Sequence, residues 1–186
     1  MAQRRREGIC TWSLAGKIAV VTGASGELGR VMCRTLADCG ADIAIHYFRN
    51  QQKAESLAEE ITKKGRKTIL VQADVTDQES VFAMRDEIVK TLGTPQIIVN
   101  NAVVQYSWTS VLDQAIDDYE SQFQSCVLQN VLMAKAFVPS MIEANYGRVI
   151  GINTECAMQT FKNQSAYVAG KRGMDGIFRV LAKEIG

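Results

Sequence analysis

The sequence predicts an α/β fold: a doubly wound, Rossmann-like parallel sheet with strand order 3-2-1-4-5. Three observations lead there. Short β-branched apolar runs alternate with helical stretches along the whole chain. The runs are continuously apolar rather than alternating, as strands covered on both faces should be. The residues with useful chemistry fall just past the carboxyl ends of those runs, where such sheets bind ligands.

Each element follows in order. Ile18–Thr22 reads as a buried strand that ends in glycines, and the stretch from Gly26 to Cys39 as a helix closed by Gly40. Asp42–Tyr47 is the second strand. Over Gln51–Lys64, Ala54, Leu57, Ala58 and Ile61 share one helical face, with Asn50 as N-cap and Gly65 as C-cap. Thr68–Gln72 is strand three. Thr76-Asp77-Gln78-Glu79 has the form of a capping box before a helix whose buried stripe is Val81, Met84 and Ile88. Gly93 and Pro95 break the chain before strand four, Ile97–Asn100. A long helical region spans about 115–143 with Pro139 near its end, then strand five, Arg148–Ile152, a loop, and a last helix over about 165–185.

With 186 residues, 47% hydrophobic and 22% charged, the chain suits one globular domain over 14–186 behind a flexible polar arm, 1–13. A net charge of +1 gives no field to attract nucleic acid or anionic membrane, and Arg4-Arg5-Arg6 reads as part of the solvated arm. No run reaches the ~18–20 apolar residues of a membrane span, and the N-terminus has no secretory pattern, so a cytoplasmic location is expected. The five cysteines form no CxxC pair and His46 is the lone histidine, which points to reduced thiols and no metal site.

After strand one comes Thr22-Gly23-Ala24-Ser25-Gly26-Glu27-Leu28-Gly29. Glycines spaced so let the backbone turn, approach a pyrophosphate and pack the following helix, whose N-terminal N–H groups favour an anion. After strand two, Tyr47 stands where an acid would hold a ribose 2′-OH, and Arg49 follows. A guanidinium suits a 2′-phosphate, so NADP(H) is favoured over NAD(H); the alternative is that Arg49 is a solvated loop charge. Asp74, past strand three, either accepts from an adenine amino group or caps the next turn. Asn100-Asn101-Ala102, past strand four, either ties loops and cofactor together or is turn chemistry. Tyr167 and Lys171, four apart, share one helix face. Free tyrosine titrates near pH ~10, and a neighbouring ammonium would lower that value, so the phenol could exchange a proton with a carbonyl oxygen. Thr154 is placed to hold that oxygen. Trp108, Met158 and Phe161 either line a substrate pocket or pack.

Glycine loop, aspartate, Asn-Asn-Ala and Tyr-x-x-x-Lys together resemble the short-chain dehydrogenase/reductases from about Leu14 to Gly186, most closely in the stretch YGRVIGINTECAMQTFKNQSAYVAGKRGMDGIFRVLAKEIG. That stretch is similar to the 3-oxoacyl-carrier-protein reductases. The resemblance implies an oxidoreductase that moves a hydride between a nicotinamide and a carbonyl or secondary alcohol. It implies Tyr167 as proton donor, Lys171 as its partner and ribose ligand, and Thr154 as the donor to the substrate oxygen, thirteen residues ahead of the tyrosine. The cofactor contacts it implies are Gly23, Ser25, Gly26, Leu28, Gly29, Tyr47, Arg49, Asp74, Val75, Asn101, Ala102, Tyr167 and Lys171. It further implies a small-molecule substrate and a homo-oligomer, dimer or tetramer, built through the helices over 115–143 and 165–185.

Four departures stand out. The family's helix-four asparagine, which supports a water chain to the lysine, falls on Cys126, with Asn130 one turn later. Glu27 replaces a glycine of the loop. Val103 replaces the glycine after Asn-Asn-Ala. The chain reads as C-terminally truncated, lacking the family's last two strands, its Pro-Gly turn and its substrate lid. A nucleotide-binding relative without turnover, or an inactive fragment, are the competing expectations.

Overall fold

The computed structural model of this protein describes residues 13–186, so the expected arm lies, except for Ser13, outside the described residues. Strands β1 (Ile18–Val21), β2 (Asp42–Tyr47), β3 (Thr68–Gln72), β4 (Ile97–Asn100) and β5 (Arg148–Gly151) form one sheet in the order β3-β2-β1-β4-β5. All four pairings are parallel, with Ile18 opposite Asp42, Ile43 opposite Thr68 and Ile97 opposite Arg148. Every strand therefore ends on one edge of the sheet, and that edge carries the site.

Helices cover both faces. On one side α1 (Glu27–Asp38) and α2 (Gln51–Lys63) bury Cys33, Ala37, Leu57 and Ile61 against Val21, Ile43 and Ile45. On the other, α3 (Gln78–Thr91) and α5 (Gln129–Glu143) bury Val81, Met84, Ile88, Met133 and Phe137 against Val20, Ala44, Val71 and Ile98. Successive strand residues face opposite sides, so a strand inside two helix layers is mostly apolar on both faces. α4 (Ile116–Phe123), a short α6 (Cys156–Gln159) and α7 (Ser165–Ile185) complete the chain. Between α4 and α5, Gln124–Leu128 winds as a π-helical turn, so the stretch expected as one helix holds a wide turn in its middle. That 28-residue run is long and apolar enough to cross a membrane by composition, yet 56% of its most apolar window is buried in the domain, as in a core helix.

Three local expectations need correction. Thr76 does not cap α3; Asp77 does, accepting the Ser80 N–H at 2.7 Å, while the Thr76 hydroxyl turns back to Asp74 at 2.6 Å. Both residues can cap, and Asp77 is the one with the extended backbone that the N-cap position uses. The short helix α6 lies in what was expected to be a loop. Cys33, Cys126 and Cys156 are free thiols, but Cys39 is disulfide-bonded. Sequence spacing cannot tell which sulfurs meet once the chain folds. The Asn50 cap is present, with its Oδ1 accepting from Lys53 N at 3.1 Å.

Candidate active site

The carboxyl edge of the sheet opens into a cleft of about 730 Å³. Its floor is the glycine loop. Gly23 sits at φ +63°, and a Cβ there would touch Ala102 at 3.0 Å; a Cβ on Gly29 would lie 2.3 Å from Gly23 O and 2.8 Å from Ala24 Cα. Nothing larger than hydrogen fits between loop and helix at Gly29, so the loop forms a bare-backbone cradle at the N-terminus of α1.

Side chains from neighbouring strands hold that cradle. Asn101 Nδ2 donates to Thr22 O at 3.0 Å, and the Thr22 hydroxyl accepts the Asn101 and Ala102 N–H groups at 2.9 and 3.0 Å. The tie between loops expected of the Asn-Asn-Ala run is thus present. The sequence reading missed a second tie, made by His46. Its Nδ1 accepts the Gly23 N–H at 2.9 Å, which leaves Nε2 to donate to Ala73 O, also at 2.9 Å. Burial pulls its pKa below the usual histidine value. A histidine inside an otherwise apolar strand, beside the glycine loop, was the signal available.

Most of the expected cofactor residues line this one cleft: Gly23, Ser25, Gly26, Leu28, Gly29, Arg49, Asp74, Val75, Asn101, Ala102, Tyr167 and Lys171. Tyr47 does not. It is 8% exposed and packs in the core with Ile43 and Ile45, because every second residue of β2 points that way; Phe48, Arg49 and Asn50 face the cleft instead. Arg49 lies 5.2 Å from the Phe48 ring centroid and forms no ion pair among the described residues. Asp74 does cap the next turn, its Oδ1 accepting from Thr76 N and Oγ1 at 2.9 and 2.6 Å, while the residue still borders the cleft. Glu27 is drawn to Arg30 at 2.6 Å and Lys53 at 3.5 Å, so two cations offset its charge beside the cradle.

Cys126 is also absent from the cleft wall. It is fully buried, with its thiol 3.7 Å from Gln122 Oε1, and it packs where a Cβ on Gly170 would meet it at 3.0 Å. Ser125 takes the cleft position. Asn130, the residue one turn on, faces the sheet, accepting from Asn100 Nδ2 at 2.7 Å and donating to Cys126 O at 2.6 Å.

Tyr167 and Lys171 stand on one face of α7 as expected, but their electrostatics differ from expectation. Lys171 is 4% exposed, and its ammonium donates to Ile152 O at 2.6 Å, 5.7 Å from the Tyr167 ring centroid. Burial pushes the Tyr167 phenol above its usual range, Cys126 adds to that, and a hydrogen bond with Thr154 opposes it. The ammonium does not acidify the phenol here, because desolvation outweighs a cation turned to a carbonyl. Lys171 is itself shifted down by burial. Thr154 is half-buried, its Oγ1 accepting from Cys156 N at 3.2 Å.

Comparison with known proteins agrees with this geometry. The short chain dehydrogenase family matches residues 17–186. A "short-chain type dehydrogenase/reductase" of Picea abies is 31% identical over 179 residues, covering 92% of this chain and 66% of the relative. The 3-oxoacyl-(acyl-carrier-protein) reductase of Pseudomonas aeruginosa is 33% identical over 175 residues, covering 94% and 70%. Among solved structures, NAD+-bound xylitol dehydrogenase superposes with a TM-score of 0.87 at 27% identity, covering 92% of this chain and 65% of the other. A metagenomic short-chain oxidoreductase in complex with NADP gives 0.85 at 26% identity, covering 92% and 77%. The chain spans about two thirds of the length of the curated relatives it matches, with 66% and 70% covered in these two.

Proposed function

We propose a reaction for a chain that belongs to the short-chain dehydrogenase family: NADP(H)-dependent interconversion of a carbonyl compound and its secondary alcohol. The family's chemistry is nicotinamide-dependent oxidation and reduction at such groups. One observation carries the reading. The bare-backbone cradle at Gly23–Gly29 and the Tyr167–Lys171 pair, far apart in sequence, border the same cleft. A dinucleotide would suit this donor set: the cradle at the α1 N-terminus would hold its pyrophosphate, Asp74 and Val75 its adenine, and Arg49 a 2′-phosphate.

When bound, the nicotinamide supplies or accepts the hydride. The chain's own groups manage the proton. Thr154 Oγ1 holds the carbonyl oxygen, and Tyr167 Oη gives that oxygen a proton as the carbon is reduced. A phenol is already protonated at neutral pH, the form that reduction needs, and burial shifts it further that way. Lys171 has three N–H groups, one spent on Ile152 O, which leaves two for a ribose hydroxyl and for the phenolate as it forms. Arg49, which borders the cleft and forms no ion pair among the described residues, supports NADP(H) over NAD(H). We read the substrate as a small molecule, the assembly as a dimer or tetramer, and the location as cytoplasmic.

The test is NADPH oxidation with a panel of ketones and aldehydes. Wild-type protein should turn over and Tyr167→Phe should not, while calorimetry still shows the variant binding NADPH. Absence of turnover across the panel, or equal turnover by the variant, refutes the reading. A second reading, nucleotide binding without turnover, is favoured by the Lys171–Ile152 bond and the withdrawal of Cys126 from the cleft. It predicts that NADPH binds, that no ketone is reduced, and that Cys126→Asn restores nothing.

A further inference from the structure

The segment 102–115 has no regular secondary structure and lines the cleft with Ala102–Gln105, yet it is fastened along its length. The Tyr106 hydroxyl accepts the backbone N–H of Tyr167 at 2.8 Å. Gln164 gives α7 no side-chain cap, so this hydroxyl satisfies one of the orphan donors of the helix's first turn. Trp108 lies against the Tyr167 ring, centroids 6.5 Å apart and planes 19° from parallel. Two buried amides brace the backbone. Gln122 Nε2 donates to Val104 O at 2.9 Å, and Gln114 donates to Ser107 O while accepting both Thr109 donors, all at 3.0 Å.

For all this anchoring, Trp108 keeps half of its surface open (50%). Past β5, Met158 on α6 and Phe161 just after it are exposed as well, 73% and 43%. Asp113, the one charged side chain of the segment, accepts from the Ser110 hydroxyl at 2.6 Å; past β5, Glu155 accepts from Gln159 at 3.3 Å and Lys162 is exposed. An indole held within 19° of the Tyr167 ring plane, with half of its surface open, offers a π-face next to the residue that would deliver the proton.

We propose that the carbonyl site takes a flat, uncharged aryl ketone or aldehyde whose ring stacks on Trp108, with Tyr106 as the positioning residue that holds indole and phenol in register. The inference rests on the reading of Tyr167 as proton donor, and its test separates the two. The chain has two tryptophans, so Trp12→Phe leaves Trp108 as the lone reporter. Acetophenone should quench its emission saturably, and cyclohexyl methyl ketone, of the same outline without the aromatic ring, should not. The wild-type preference for acetophenone in kcat/KM should drop roughly two- to tenfold in Trp108→Ala, the range an aromatic contact provides, and largely persist in Trp108→Phe. Tyr106→Phe should lower kcat and move its pH profile while KM for NADPH stays put. A ratio unchanged in Trp108→Ala, or emission untouched by acetophenone, overturns the proposal. If wild-type protein reduces neither ketone, the Tyr167 reading fails, and the quenching titration alone decides whether Trp108 binds the ring.

Discussion

His46 joins three strands' ends through one imidazole, and removing it should loosen the cofactor cradle and the fold together. In His46→Ala the Gly23 N–H and the Ala73 carbonyl each lose their partner. An unsatisfied buried polar group costs about 1–3 kcal/mol, so the pair should destabilise the protein by roughly 2–6 kcal/mol, a large part of a typical domain's stability. The histidine also sets a pH dependence. Protonation would put hydrogen on Nδ1, which then could not accept from Gly23. Burial depresses the folded pKa below the ordinary 6.5. Below that value the unfolded chain binds a proton that the folded form refuses. Stability should be level above about pH 6.5 and decline as pH falls toward the folded pKa. The chain has no other histidine to blur the slope. Urea unfolding on both sides of pH ~6.5, with wild type and His46→Ala, measures both effects. A loss under about 0.5 kcal/mol, or the same pH slope in the variant, would refute the reasoning.

Three other outcomes follow from the geometry. Gly29→Ala drives a methyl into backbone atoms at 2.3 and 2.8 Å, whereas Gly26→Ala meets only Gly23 O at 3.3 Å; calorimetry should show NADPH binding lost in the first and reduced less in the second. Asp77→Ala should cost about 1 kcal/mol in urea unfolding and Glu79→Ala close to nothing, the reverse of what a capping box starting at Thr76 requires. Burial pushes the Cys33 thiol up to about 12, so thiol reagents at mildly alkaline pH should leave it unlabelled in the native protein and react with it after unfolding.

The strands were legible because a strand between two helix layers is mostly apolar on both faces, and such runs stand out in a sequence even with His46 or Asn100 inside them. β2 and β3 have the boundaries that the apolar runs predict. The glycine loop, Asp74, Asn101, Tyr167 and Lys171 were legible because each follows a strand or shares a helix face, and local order alone brings them to one edge. Tyr47 and Cys126 show where such reasoning stops. Parity along β2 turns Tyr47 into the core, and the packing of α7 on the wide turn encloses Cys126. The direction of the Lys171 ammonium depends on Ile152, and the Tyr106 hydroxyl finds a helix end 61 residues away. Contacts of that kind have no periodic trace in the chain.

The π-helical turn at Gln124–Leu128 has a consequence for how this stretch tolerates change. Each residue advances an α-helix by about 100°, so a deletion at most points between 116 and 143 would spin one half and turn its buried face to solvent. Within the wide turn, a deletion can be absorbed by tightening to ordinary winding, and the two halves keep their seats against α7 and the sheet. The same spare residue shifts any residue-by-residue correspondence drawn across it, so positions before and after the turn belong to separate numbering frames.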